Sequence, residues 1–138
     1  MDSAASPPRA NDRSPTITEI EAIAAVAYET IPTVLRARID NVAIQVVDFP
    51  DDDTCRDMGL ETPFDLLGLY QGVDLPHRSI SDPPREPDVI FLYRRPMIDF
   101  WAENEMTLGE LVRHVLIHEI GHHFGFSDAD MDALERQN

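Results

Sequence analysis

One segment, residues 107–125, constrains the fold of this chain more than any other. Thr107 and Glu110 have the spacing of a capping box, which begins a helix, and Gly125 can end one in the left-handed conformation. Apolar side chains between them cover more than half of the helix circumference: Leu108, Leu111, Val112, Val115, Leu116, Ile117, Ile120 and Phe124. A helix that is apolar on most sides has to be enclosed by other elements. We therefore predict a central, buried helix around which the rest of the chain packs.

The same helix carries the sequence His118-Glu119-Ile120-Gly121-His122, an H-E-x-x-H motif. Its two histidines lie one turn apart and about 40° apart around the helix. Two imidazoles at this spacing can bind one zinc ion at about 2.0–2.1 Å. Glu119 points beside the metal, where a general base belongs. The motif predicts a zinc site with Glu119 as its base, and the apolar surroundings predict that the histidines line an interior cavity.

A third ligand is expected just beyond the helix. Gly125 and Asp128 extend the motif to H-E-x-x-H-x-x-G-x-x-D, and a sharp turn at Gly125 brings Asp128 back to the metal. Three protein ligands and a water molecule are typical of catalytic zinc. Alternatively, Asp128 caps a last helix over residues 129–136, a role for which Ser127 competes, and Glu135 is the fallback ligand. We predict that His118, His122 and Asp128 bind the metal.

Other side chains near the motif have less specific roles. His123 projects into the apolar arc of the helix, so we expect a hydrogen-bonded histidine in the core. His114 lies one turn before His118, on the metal side, and either contacts substrate or only packs. Tyr70, Tyr93 and His114 are candidates for stabilising an oxyanion, and the sequence does not select among them.

Composition excludes several classes of function. The 11 Lys and Arg residues are all Arg, so phosphate loops and Schiff-base chemistry that need Lys are excluded. Cys55 is the single cysteine, which excludes an internal disulfide and suits a reducing cytoplasm. The net charge of −15 disfavours nucleic acid as a partner. Neither a membrane span nor a signal peptide is recognisable. We expect a soluble, cytoplasmic, monomeric domain.

The organisation along the chain follows from local patterns. Residues 1–15 predict a disordered tail, and residues 16–138 a single domain. Thr16 and Glu19 form a second capping box before a helix that Pro32 ends or kinks, with helical residues again at 34–39. Asp51-Asp52-Asp53 is interpreted as a solvated turn. Strands are predicted at residues 42–48, 67–73 and 89–93, a loop at 74–87, and a short helix at 96–103.

Three segments together resemble a known family. HEIGHHFGFSD, preceded by LLGLYQG and PDVIFLYRRP, is similar to the small bacterial zincin-like, or minimal metzincin-like, metallopeptidases. The resemblance implies an α+β fold, a single compact domain in which a small mixed sheet packs against helices, including the central H-E-x-x-H helix. It also implies zinc at the positions matching His118, His122 and Asp128, with Glu119 catalytic. Metzincins proper usually have His where Asp128 stands here.

The function predicted from these observations is zinc-dependent hydrolysis of peptide bonds, with a zinc-activated water molecule and Glu119 as general base. A peptide or protein substrate is expected to extend along an edge strand, either residues 67–73 or 89–93. Hydrolysis of RNA by the same kind of site is a rival that the negative charge disfavours. The other rival is a zinc-containing peptide-binding or regulatory module without catalytic activity.

Overall fold

The computed structural model describes residues 14–39, 41–72 and 87–137. Within these ranges the chain forms six α-helices, one 3₁₀ turn and three strands. In chain order they are α1 (Ile17–Glu29), α2 (Thr33–Arg36), β1 (Val42–Val47), α3 (Asp52–Met58), the 3₁₀ turn (Pro63–Asp65), β2 (Gly68–Gln71), β3 (Asp88–Tyr93), α4 (Arg94–Ala102), α5 (Leu108–His123) and α6 (Asp128–Glu135).

The three strands form a mixed sheet in the order β1-β3-β2. β1 runs parallel to β3, with Val42 opposite Asp88, and β2 runs antiparallel to β3, with Gly68 opposite Leu92. Together with the helices, this sheet confirms the predicted α+β class. Because β3 is the central strand, the suggestion that a substrate pairs with residues 89–93 is wrong. β2 lies at an edge.

Helix α5 is the buried centre of the domain, as predicted. The Oγ of Thr107 accepts the N–H of Glu110 at 3.0 Å, and the Glu110 carboxylate accepts the N–H of Thr107 at 2.8 Å. Six side chains of α5 are at most 3% exposed: Leu111, Val112, Val115, Leu116, Ile117 and Ile120. α5 packs on one face of the sheet and against α1. A Cβ at Gly68 would lie 2.7 Å from Val115 Cγ1, so glycine in β2 permits this close approach.

One predicted turn is a helix. Asp51 is the N-cap of α3, because its carboxylate accepts the N–H of Thr54 at 2.7 Å. Acidic side chains in the first turn of a helix are favourable, and the prediction of a solvated turn at Asp51-Asp52-Asp53 did not weigh this effect. Gly59, in the left-handed conformation with φ of 66°, ends the helix. The D-x-x-T spacing followed by glycine was the signal for it.

The described residues only partly cover the predicted tail at residues 1–15 and the predicted loop at residues 74–87. Of the predicted tail, residues 1–13 lie outside the described residues. Pro15 is buried, and its carbonyl accepts an N–H from Arg94 Nε at 2.6 Å. The predicted loop at 74–87 lies, except for Pro87, outside the described residues. Among those that are described, no helix combines the length and hydropathy of a membrane span.

Helix α6 lies directly on the last part of α5. A Cβ on Gly121 would meet the side chain of Met131, with Cγ only 2.7 Å away, and Met131 is fully buried. Glycine at this position of the H-E-x-x-H motif therefore permits the contact between the two helices. That contact holds the acidic residues of α6 beside the histidines of α5.

We expect Gly121→Ala to lower the free energy of unfolding by about 1–3 kcal/mol, because the new methyl group overpacks a filled core. Gly109→Ala, in the same helix, is the matched control. Its Cβ would meet nothing closer than Thr107 Oγ1 at 3.9 Å, so stability should stay level or rise. Urea denaturation of both variants measures the difference. Equal stability of the two variants would contradict this account of the helix contact.

Candidate metal centre

Two overlapping groups of side chains in the described part of the chain have the geometry to hold a metal ion. His118, His122 and Asp128 form the first, and His114, His118 and Glu135 form the second. Within each group, the potential ligand atoms all lie within 4.8 Å of one another. Two imidazoles and a carboxylate are a donor set that suits zinc, so both groups fit such an ion chemically. The structure thus brings together the three residues predicted as ligands, and it also shows a group that the sequence analysis did not propose.

Asp128 reaches the first group through the turn after α5. Gly125 has φ of 82°, the left-handed conformation predicted for it, and its N–H donates to the carbonyl of His122 at 3.2 Å. The chain reverses there, and Asp128 Oδ1 lies 3.4 Å from His122 Nε2. The alternative role for Asp128, as a helix cap, is wrong. Ser127 is the N-cap of α6, and its hydroxyl accepts the N–H of Asp130 at 3.0 Å.

The first group is at the surface. The side chain of His118 is 18% exposed, that of His122 56%, and that of Asp128 86%. The prediction that the histidines line an interior cavity is therefore wrong. The reason is that Ile120 and Gly121 are the buried residues of the last turn of α5, whereas His122 lies on the side of that turn that the core does not enclose.

An open pocket of about 410 Å³ adjoins this group. Its lining includes Glu119 and His122, together with the rings of Tyr70 and His123. The rest of the lining is apolar and consists of Met58, Leu66 and Leu69. The pocket therefore combines a carboxylate and an imidazole with an apolar wall, which is the usual character of a small-molecule or side-chain site.

Glu119, which lines this pocket, is half-buried. Burial raises the pKa of the Glu119 carboxyl above its ordinary value of 4.5, while nearby His122 and the N–H of Tyr70 lower it in part. The strand register explains the Tyr70 contact. The N–H of Tyr93 donates to the carbonyl of Leu67 at 3.0 Å, and alternation along an antiparallel pair then points the backbone groups of Gly68 and Tyr70 away from β3. Tyr70 can thus hold the carboxylate of Glu119 in place.

His123 is a pocket residue that the sequence analysis assigned to the core. Its ring is exposed and stacks on the ring of Tyr70, with centroids 4.0 Å apart. A Cβ on Gly72 would lie 2.8 Å from His123 Cε1, so glycine leaves room for the ring. The prediction of a core histidine is wrong, because His123, like His122, lies on the exposed side of the last turn of α5.

The three oxyanion candidates are in different environments. The hydroxyl of Tyr70 donates to the buried carboxylate of Asp88 at 2.6 Å. Tyr93 lies on the sheet face opposite α5, and burial, with Asp51 and Glu119 nearby, raises its pKa to about 12. His114 Nδ1 contacts Glu135. Tyr70 alone of the three lines the pocket, and its hydroxyl already has a partner.

Comparison with known proteins assigns the family. The model of the zincin-like metallopeptidases matches residues 39–138, which include the sheet, α5 and α6. The chain therefore belongs to the zincin-like metallopeptidase family, in agreement with the resemblance found in the sequence. Membership implies a metal ion, typically zinc, and suggests proteolysis. None of the curated proteins compared with the chain matches it.

The raised pKa of Glu119 leads to a prediction for the metal-free protein. Folding favours the neutral carboxyl, so the free energy of unfolding falls as pH rises through the raised pKa. Glu119→Gln removes this loss and should be more stable than wild type at about pH 8, with the advantage disappearing below about pH 4. Urea denaturation of chelator-treated protein across this range measures it. Glu21→Gln, on the exposed face of α1, controls for loss of a surface charge, and a wild type as stable as Glu119→Gln at the higher pH would refute the prediction.

Proposed function

We propose that this protein is a zinc-dependent peptidase in which His118, His122 and Asp128 hold the metal and Glu119 is the general base. The observation that carries the proposal is the position of Glu119. Its carboxylate lies close enough to His122 for that residue to lower its pKa, and it lines the same pocket as His122. The family match supports a peptidase in general, and this geometry supports the particular roles.

Each group has a defined task in this reaction. Zinc, when bound, polarises the scissile carbonyl and makes water more acidic. Glu119 accepts the proton of the attacking water and returns it to the leaving amine. Its raised pKa suits the first of these steps, because a carboxylate with a higher pKa accepts a proton more readily. The N–H of Tyr70 orients the carboxylate throughout.

The proposed substrate is an extended peptide lying along β2. This strand is at the edge of the sheet next to α5, and the backbone groups of Gly68 and the carbonyl of Tyr70 point away from β3. These groups would pair with the peptide, while the N–H of Tyr70 stays with Glu119. Peptides commonly bind such an edge by strand addition. Met58, Leu66 and Leu69 would receive an apolar side chain beside the scissile bond. Cytoplasmic location and a monomeric state stay predictions from the sequence.

Glu119→Gln should keep its zinc and lose its activity. The amide preserves the shape of the side chain but cannot accept the proton, so turnover should fall by about 10²–10⁴-fold. Zinc content is measured by elemental analysis, and turnover with a library of fluorogenic peptides that vary in apolar residues. Glu103→Gln, an exposed residue after α4, is the control. Zinc-loaded wild type that binds peptides from the library without cleaving any would favour a peptide-binding or regulatory module instead.

The role of Asp128 as a metal ligand is tested in a variant whose second group, His114, His118 and Glu135, can no longer hold the metal. In a His114→Ala/Glu135→Gln background we expect one zinc per chain, and adding Asp128→Ala should remove it together with turnover, since two histidines alone bind zinc weakly. Asp132→Ala in the same background is the matched control. Asp132 is an exposed carboxylate of α6, 3.9 Å from His118 Nε2, and it belongs to neither group. Full zinc after Asp128→Ala in this background would refute the ligand assignment.

A further inference from the structure

We infer that His114, His118 and Glu135 form a second zinc position, and that a chain can fill either this position or the proposed catalytic one but not both. The inference goes beyond the proposed function, which gives His114 and Glu135 no role. The carboxylate that would complete the second position is that of Glu135, at the end of α6.

The carboxylate of Glu135 lies between two imidazoles. His114 Nδ1 is 2.8 Å from each of its oxygens, and His118 Nε2 is 3.1 Å from Oε1. Two ligands of a tetrahedral zinc ion are about 3.3 Å apart, given bonds of about 2.0–2.1 Å. The two imidazole–carboxylate distances therefore need to lengthen by only about half an ångström or less to admit the ion, and the two imidazole nitrogens lie within 4.8 Å of each other. If Glu135 were only a hydrogen-bond partner of His114, nothing would require His118 Nε2 to approach Oε1 as well.

The second position repeats the plan of the first. Each uses two histidines four residues apart on α5, so each pair lies on one face of the helix. Each takes its carboxylate from α6, where Asp128 and Glu135 are seven residues, or two turns, apart. His114 lies one turn before His118 on α5, and Glu135 lies two turns after Asp128 on α6. The two helices therefore present a second set of two imidazoles and one carboxylate.

The second position is better protected than the first. The side chains of His114, His118 and Glu135 are 38%, 18% and 28% exposed, whereas His122 and Asp128 are more than half exposed. Less contact with water strengthens the attraction between a cation and a carboxylate. Arg113 also fixes the end of α6, because its guanidinium donates to the carbonyls of Glu135 and Gln137, each at 2.8 Å. Glu135 is therefore held in place before any metal binds.

Sharing His118 makes the two positions exclusive. Its Nε2 faces the carboxylates of α6, and one ring nitrogen binds one ion. A metal held by His114 and Glu135 takes this nitrogen away from His122 and Asp128. It also lies a turn farther from the part of α5 that presents Glu119, which is influenced by His122. Zinc in the second position is therefore silent in peptide hydrolysis, a consequence that rests on the proposed function.

The first experiment isolates the second position and needs no substrate. His122→Ala/Asp128→Ala removes two exposed side chains of the first group, and circular dichroism checks that the variant is folded. Titrated with Co²⁺, this variant should bind one equivalent and develop visible d–d absorption. Adding Glu135→Gln should weaken binding by more than about 100-fold, since even partners outside the coordination shell contribute about 10- to 100-fold. Adding Asp132→Ala instead should change nothing.

The second experiment tests exclusivity. Wild type should bind one equivalent of Co²⁺ or Zn²⁺, and His118→Ala should bind none tightly. Turnover per bound zinc should rise in His114→Ala/Glu135→Gln relative to wild type, by about twofold if wild-type zinc divides equally between the positions.

The outcomes separate the two proposals. A folded His122→Ala/Asp128→Ala variant that binds no Co²⁺ overturns the second position, and Glu135 is then only a hydrogen-bond partner of His114. Two equivalents in wild type overturn exclusivity, and unchanged turnover per zinc in His114→Ala/Glu135→Gln overturns occupation of the second position in wild type. Absence of any peptidase activity in zinc-loaded wild type would refute the proposed function, while the Co²⁺ titration of the isolated second position would still decide whether that position exists.

Discussion

The packing of α5 governs the rest of this structure. Its apolar side chains cover most of the circumference from Leu108 to Ile120, so the sheet, α1 and α6 must surround it. The same helix carries every histidine that the structure describes, and each of these histidines is at least partly exposed. One helix therefore serves both as the hydrophobic centre of the domain and as the carrier of the metal site. Rigidity comes from the first role, and a site built on such an element is positioned precisely.

The metal site also requires the chain to reverse direction after α5, so that α6 packs against it. Gly125 supplies the left-handed turn, and Gly121 leaves space for Met131 of α6. With both in place, α6 lies directly on α5, and its carboxylates approach the histidines without any long connecting loop. Three acidic side chains of α6 come within 3.9 Å of a histidine nitrogen: Asp128, Asp132 and Glu135. The close packing of two helices thus produces a row of possible ligand sets, and the choice among them becomes a matter of which carboxylate and which pair of histidines share an ion.

The chemistry of Glu119 depends on a third element. β2 covers part of α5 closely because Gly68 has no side chain, and its outward-facing N–H at Tyr70 then meets the Glu119 carboxylate. Burial and this hydrogen bond act in opposite directions on the pKa, and burial prevails. The sheet edge that orients the base is the same edge that we propose binds the peptide, so the position of the base and the path of the substrate are linked through one strand.

What the sequence alone determined is local. The capping box at Thr107, the turn at Gly125 and the i, i+4 spacing of His118 and His122 depend on neighbouring residues within one or two turns, so they were predictable and the family was recognisable from them. Tertiary structure decided the rest, because it depends on contacts between distant segments. Sequence spacing could not show that β3 is central, that His122 and His123 are exposed at the end of α5, or that Glu135 lies between His114 and His118. Each of these follows from how α5, α6 and the sheet pack together, and packing is a property of the whole domain.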